Sequence, residues 1–300
     1  MIKQSIFSSA TITNKTENQD DHGCFRGQNF NSLFVADGLG SFQFAKLSSA
    51  RVINFIKKKA ESFELNNNLK NPKVNYPDLF RNAKDDLIGY SNQYIIDNEI
   101  DPVDFENLFG TTLITLYETD VKIGIAYVGN GAIWHIRGCF NSFPEPYLIP
   151  WNAVNLLNPH SLPEDGKEAL YRLISNSKNY QECIPTVLEI NKDREFGDII
   201  MICSDGISSI DQLRAGSNDK GIWVKYETFL IKLFEQISDF FLTTEEYTDL
   251  ELNKMLIDYL EELKPEFDDD ATIGVLMTSE VLEYQRNLKL SDEINQNSEI

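Results

Sequence analysis

GTTLITLYETDVKIGIAYVGNGAIWHIRG, residues 110–138, decides the fold class. It contains three apolar runs. In the middle one, Val121, Ile123, Ile125 and Tyr127 alternate with Lys122, Gly124 and Ala126, the period of two expected of a half-buried strand. Glu118-Thr119-Asp120 and Asn130-Gly131 separate the runs with turn-forming residues, so the three read as an antiparallel meander. Upstream, the run NFNSLFV reads as a buried strand ending at Asp37-Gly38. It is followed by helices over about Ala45–Phe63 and Pro77–Asn98. Downstream, prolines scattered over 141–185 suggest a loop-rich excursion with one helix near Lys167–Ser175. Strands are expected at Thr186–Ile190, Asp198–Cys203 and Ala271–Thr278, with helices over Trp223–Phe241 and Thr244–Leu263. Blocks of strands bracketed by blocks of helices argue for an α+β fold with helices outside antiparallel sheets. One domain is expected over 1–285, and the polar stretch 286–300 reads as a disordered tail.

Composition narrows the function. Of 300 residues, 42% are hydrophobic, enough for a sizeable core, and no run approaches the roughly 20 apolar residues of a membrane span. Against 27 Lys and Arg stand 47 Asp and Glu, a formal charge of −20 that repels a nucleic-acid backbone. The short apolar run at the N-terminus does not read as a secretory signal. Cys24, Cys139, Cys183 and Cys203 form no CxxC pair, and His22, His135 and His160 no HExxH-type pair. A cytoplasmic protein with reduced thiols is the expectation.

Four acidic spots sit beside strands or turns: Asn18-Gln19-Asp20-Asp21, Asp37-Gly38, Ser204-Asp205-Gly206 and Asp268-Asp269-Asp270. Taken singly, each has an ordinary reading as a turn or a solvated loop. Together they ask for more, because Asp37 and Asp205 follow the continuous apolar runs LFVA and IIMICS. A carboxylate at the rim of a core is costly unless paired, and Mg²⁺ or Mn²⁺, which prefer oxygen ligands, would pair it. No GxSxG, Cys–His or GKS/GKT arrangement offers a rival chemistry.

The segments KTENQDD, FVADGLGSFQFA, GTTLITL, AYVGNGAIWHIRG, GDIIMICSDGIS and DDATIGVL resemble, in order and spacing, the motifs of the type 2C protein phosphatases, with the DGLGS and NQD forms of the bacterial branch. The resemblance spans about Ile12 to Met277. It implies a four-layer α-β-β-α sandwich and metal-dependent hydrolysis of protein phosphoserine and phosphothreonine. In that pattern Asp37 bridges two Mn²⁺ or Mg²⁺ ions and the Gly38 carbonyl binds one of them. Asp205 and Asp269 ligate the other, Asp20 orients the attacking water, and Lys15 stands at the phosphate-binding arginine. A phosphoprotein substrate and a cognate serine/threonine kinase are the implied partners.

The chain departs from the pattern in places. Lys15 offers a point charge instead of a guanidinium fork. Gln19 stands where many members have glutamate, and Leu39 where eukaryotic members often have histidine. Asn130 puts a neutral amide where the family has the aspartate of a third, weaker metal site, which argues against that site here; its plain reading is a hairpin turn. His22 reads as a surface residue in a turn. Asn130 and Lys15 motivate the alternative of a pseudophosphatase acting as a binding module, and a small phosphate ester is a third possible substrate. The aromatic positions between Ile210 and Phe267 read as helix packing or, alternatively, a docking surface.

Overall fold

The computed structural model describes residues 4–66, 73–101, 107–139, 153–164, 167–177, 180, 183–209, 214–217, 223–226 and 228–298. Two five-stranded sheets form its centre. The first has the order β1 (Ile6–Ile12), β16 (Ala271–Met277), β13 (Asp198–Cys203), β7 (Ala132–Arg137), β8 (Ala153–Asn155). The second has the order β12 (Thr186–Asn191), β6 (Lys122–Val128), β5 (Leu113–Glu118), β3 (Asn31–Asp37), β2 (Asp20–Arg26). Every pairing in both is antiparallel. Three short ribbons accompany them: β4 (Gly110–Thr111) with β11 (Ile174–Ser175), β9 (Ser161–Glu164) with β10 (Lys167–Leu170), and β14 (Arg214–Ser217) with β15 (Trp223–Tyr226).

The sheets stack face to face through Leu33, Val35, Ile114, Ile123, Ile125, Ile200 and Ile202. The outer face of the second sheet buries Phe34, Ala126 and Val128 under α1 (Ala45–Asn66) and α2 (Tyr76–Asp97). That of the first buries Met201, Ile273 and Val275 under α4 (Thr228–Thr243) and α5 (Asp249–Leu263). The architecture is the expected four-layer α+β sandwich. Because both faces of each central sheet are covered, β6 is buried from Ile123 to Val128, where its alternation suggested one exposed face. Residues one apart point to different cores, and both cores are apolar.

Several local expectations are corrected. The hairpin at Thr119 holds, but Asn130-Gly131 is no hairpin: β6 and β7 lie in different sheets, and this dipeptide carries the chain between them. Lys167–Ser175 holds the strands β10 and β11 in place of a helix. Trp223 lies on a strand, and α5 starts at Asp249, capped by the Thr248 hydroxyl, instead of at Thr244. Of the aromatic positions, Phe229, Phe240 and Phe241 are core residues. The polar stretch after 285 continues α6 (Ser279–Ser298), so residues 286–298 are helical where composition suggested a disordered tail. Residues 140–152 of the proline-scattered excursion lie outside the described residues.

Candidate active site

The acidic spots converge at one end of the sandwich. Asp20 opens β2 and Asp37 closes β3, and antiparallel pairing sets them directly opposite each other. Asp205 stands two residues beyond β13, at the start of the one-turn helix α3 (Asp205–Ser208). Asp269 and Asp270 lead into β16, the neighbour of β13. Four strands from two sheets therefore deliver carboxylates to one rim.

The backbone at the rim is tightly held. Asp37 N–H donates to Thr112 Oγ1 at 3.0 Å, and the Asp37 carbonyl accepts from Thr112 N–H and the Thr111 hydroxyl, both at 2.8 Å. Gly38 is required for space: a Cβ there would lie 2.4 Å from the Ala45 carbonyl oxygen and 2.7 Å from that of Gln19.

The charges are poorly compensated. Asp20 is buried, and neither of its carboxylate oxygens has a hydrogen-bond partner among the described residues. Of the two hydroxyls beside it, that of Thr272 donates to Thr11 Oγ1 at 2.7 Å, and Ser204 Oγ accepts from Thr272 N–H at 3.0 Å. Burial pushes the Asp20 carboxyl up to about 7, against a downward pull from the Thr272 and Ser204 hydroxyls nearby. Burial likewise drives Asp37 well above the usual carboxylate range, with Asp20 and Asp205 adding like-charge repulsion.

Lys15 approaches this group from the connection between β1 and β2. Its ammonium pairs with Asp269 and lies 4.0 Å from Asp270. Burial acts to lower its pKa, but Asp269, Asp270 and Asp37 together raise it. Asn130 donates its side-chain amide to Asp205 Oδ2 at 2.6 Å. A pure turn role for Asn130 is thereby corrected: it sits at the sheet crossover and touches the site.

Asp20, Asp37, Asp205 and the Gly38 backbone thus come together, while Asp269 is held at the rim by Lys15. Among the described residues no three His, Cys, Asp or Glu side chains form a ready metal cage. The donor set nonetheless fits a hard divalent cation, being all oxygen and short of positive charge, with Asp20 buried and Asp37 and Asp205 half-buried. His22 does not join it. It belongs to β2, not to a turn, is half-buried, and its Nδ1 is 2.6 Å from Ser9 Oγ.

One residue that braces the rim escaped the sequence reading. Asp270 is buried, accepts from Gln19 N–H at 2.8 Å and from the Thr13 hydroxyl, and so ties the segment bearing Lys15 to the rim. Its signal was present in the Asp268–Asp270 triplet, but nothing local distinguishes it from Asp269.

Residues 9–147 match the family model for Protein phosphatase 2C. Comparison with curated protein sequences gives no match. Among solved structures, the serine/threonine phosphatase Stp1 from Staphylococcus aureus superposes with a TM-score of 0.55 at 16% identity, over 93% of this chain and 95% of that one. The serine/threonine phosphatase of S. agalactiae gives 0.56 at 14% identity, covering 92% and 100%. The Mycobacterium tuberculosis serine/threonine phosphatase PstP/Ppp gives 0.55 at 15%, covering 91% and 98%. The sequence match thus covers a little under half of the chain, residues 9–147, and the fold of the whole chain is that of bacterial serine/threonine phosphatases.

Proposed function

We propose that this chain hydrolyses phosphoserine and phosphothreonine in proteins at the Asp20–Asp37–Asp205 rim, with two Mn²⁺ or Mg²⁺ ions as cofactors. The observation that carries the reading is Asp20, a buried carboxylate with both oxygens unpartnered among the described residues, facing Asp37 across a strand pair. Charge left in that condition is too costly for a structural role alone. Asp37, the Gly38 carbonyl, Asp205 and Asp269 would hold the ions, and Asp269 must exchange its Lys15 contact to do so. Bound there, such ions would lower the pKa of a water and neutralise phosphoryl oxygens. Asp20 would orient that water as a hydrogen-bond acceptor. Lys15, released from Asp269, would meet a phosphate as a point charge. Phosphoproteins are the proposed substrates, with a cognate serine/threonine kinase as partner. A reducing, cytoplasmic setting is part of the proposal, supported by cysteines scattered through the sequence without a CxxC pair.

The second reading, a pseudophosphatase, draws on the Lys15–Asp269 pair and on the neutral Asn130. Hydrolysis of a phosphothreonine peptide with and without Mn²⁺, by wild type and Asp37→Asn, separates the two. Metal-dependent turnover that collapses in the variant supports the enzyme. Bound Mn²⁺ without turnover supports the binding module. Turnover of free phosphoserine in preference to the peptide would move the substrate to small esters.

A further inference from the structure

The rim is braced from outside by hydrogen bonds that no motif marks. Gly129 follows β6 at φ +102°, and a Cβ there would lie 2.5 Å from Thr112 Cγ2. Thr112 is the residue that clamps the Asp37 backbone. The next residue, Asn130, donates to Asp205. The dipeptide Gly129-Asn130 therefore touches the supports of two rim aspartates at once.

His160 holds that dipeptide. Its backbone N–H donates to the Gly129 carbonyl at 2.9 Å, and Gly129 N–H donates in return to His160 Nδ1 at 3.3 Å. A ring that accepts at Nδ1 carries its proton on Nε2. That atom lies 2.8 Å from Thr186 Oγ1 on β12, to which it donates. The ring stacks on Tyr127 with centroids 5.1 Å apart. The Tyr127 hydroxyl accepts from Asn158 N–H at 2.9 Å and donates to the Asn158 carbonyl at 3.0 Å. Burial, with Arg172 adding repulsion, lowers the ring's pKa and so favours the neutral form this geometry needs. Packing alone would be met by any flat apolar ring. Accepting from Gly129 while donating to Thr186 calls for an imidazole or a side chain that mimics its two nitrogens.

We propose that His160 is a positioning residue for the aspartate site, fixing the Gly129-Asn130 crossover so that Asn130 orients the Asp205 carboxylate. Only the turnover arm of its test rests on the phosphatase reading. The test compares wild type with His160→Phe, His160→Gln, Thr186→Val, Asn130→Ala and the His160→Phe/Asn130→Ala double variant. It reads the Asn130 side-chain amide resonance (identified by its loss in Asn130→Ala), Mn²⁺ affinity by calorimetry, and kcat and KM on a phosphothreonine peptide. His160→Phe keeps a stacking ring but loses both ring hydrogen bonds. It should shift the Asn130 amide resonance, weaken Mn²⁺ binding roughly tenfold and lower kcat more than it raises KM. Thr186→Val should act in the same direction, and more weakly. His160→Gln, with one acceptor and one donor on its amide, should recover most of the loss. The double variant should be no worse than Asn130→Ala alone.

Additive losses in the double variant overturn the proposal, and so does an unchanged Asn130 resonance in folded His160→Phe or Thr186→Val. If wild type binds Mn²⁺ but leaves the peptide intact, the phosphatase reading fails while resonance and affinity still judge the positioning role. If wild type binds no Mn²⁺, the Asn130 resonance alone decides it.

Discussion

The two ends of the sandwich treat buried carboxylates in opposite ways. β3 runs from Asn31 to Asp37, about 20 Å at ~3.3 Å per residue, and β13 runs from Asp198 towards Asp205 in the same sense. At the Asn31 end, Glu118 is fully buried yet saturated. It accepts from the Ser5 hydroxyl at 2.6 Å, the Asn31 amide at 2.8 Å and the Lys192 ammonium at 2.8 Å. Glu280 lies 3.5 Å from the same ammonium and 2.8 Å from Arg194. Asp198, also fully buried, meets His135 Nε2 at 2.8 Å, Arg137 at 2.6 Å and the Asp193 N–H at 2.7 Å. At the Asp37 end, buried Asp20 stands opposite half-buried Asp37, and the nearby ammonium of Lys15 is engaged with Asp269. Among the described residues, every buried acid at one end is satisfied, while at the other Asp20 has no hydrogen-bond partner and faces the half-buried Asp37. Stability explains the first arrangement. The second is the arrangement that the proposed metal binding would explain.

The comparison can be broken first at the unsatisfied end. Asp37→Asn should cut Mn²⁺-dependent peptide hydrolysis by roughly 1,000-fold, about 4 kcal/mol in activation free energy. Without metal it should melt no lower than wild type. Retained turnover would sink the assignment of Asp37, and a much lower melting temperature would show that its charge is structural. At the satisfied end, Lys192→Met strands Glu118 and Glu280 together. A loss of roughly 3–5 kcal/mol is expected in denaturant unfolding. A cost near zero would mean that this end is no better compensated than the other.

Acid should act on the two ends with opposite sign. In metal-free protein the raised Asp20 pKa means stability is gained as pH falls from above 7 towards the unfolded value near 4, a gain that Asp20→Asn removes. Glu280 is held below its ordinary value: burial acts upward, but Lys192, its hydrogen bonds and Arg194 outweigh it. Its contribution is present above the unfolded pKa and is lost as pH falls through the folded one. Melting curves of Glu280→Gln should therefore converge on wild type only in acid, below about pH 4. Two pH profiles of the same sign would remove the contrast. The smallest effect is expected for Lys15→Gln. It releases a half-exposed ion pair of roughly 0–1 kcal/mol, so stability should hardly move. Calorimetry should show Mn²⁺ binding a few-fold tighter as Asp269 is freed, with a raised KM for the peptide. Weaker Mn²⁺ binding would mean that Lys15 organises the site instead of competing for it.

Strands with continuous or alternating apolar residues were legible in the sequence: β3, β5, β6, β12, β13 and β16 lie where the pattern places them. The edge strands β1 and β2 were not. IFSSATI and DDHGCFR carry too many small and polar residues for a periodic signal, and they become strands because the neighbouring strands offer them an edge to pair with. The same blindness hid the neighbours of Asp20 and His22, which lie on β2.

The sequence by itself determined the residue types at the rim, the α+β class with helices outside antiparallel sheets and the order of the acidic motifs, because strand and turn preferences are local and the motifs keep their spacing. Only the tertiary structure decided that Asn130-Gly131 crosses between sheets, that Lys15 holds Asp269, that Asp270 braces Gln19 and that His160 reaches Gly129. Each of these is a contact between residues far apart in the chain, governed by which strands pair and how the sheets stack, and no local periodicity encodes it.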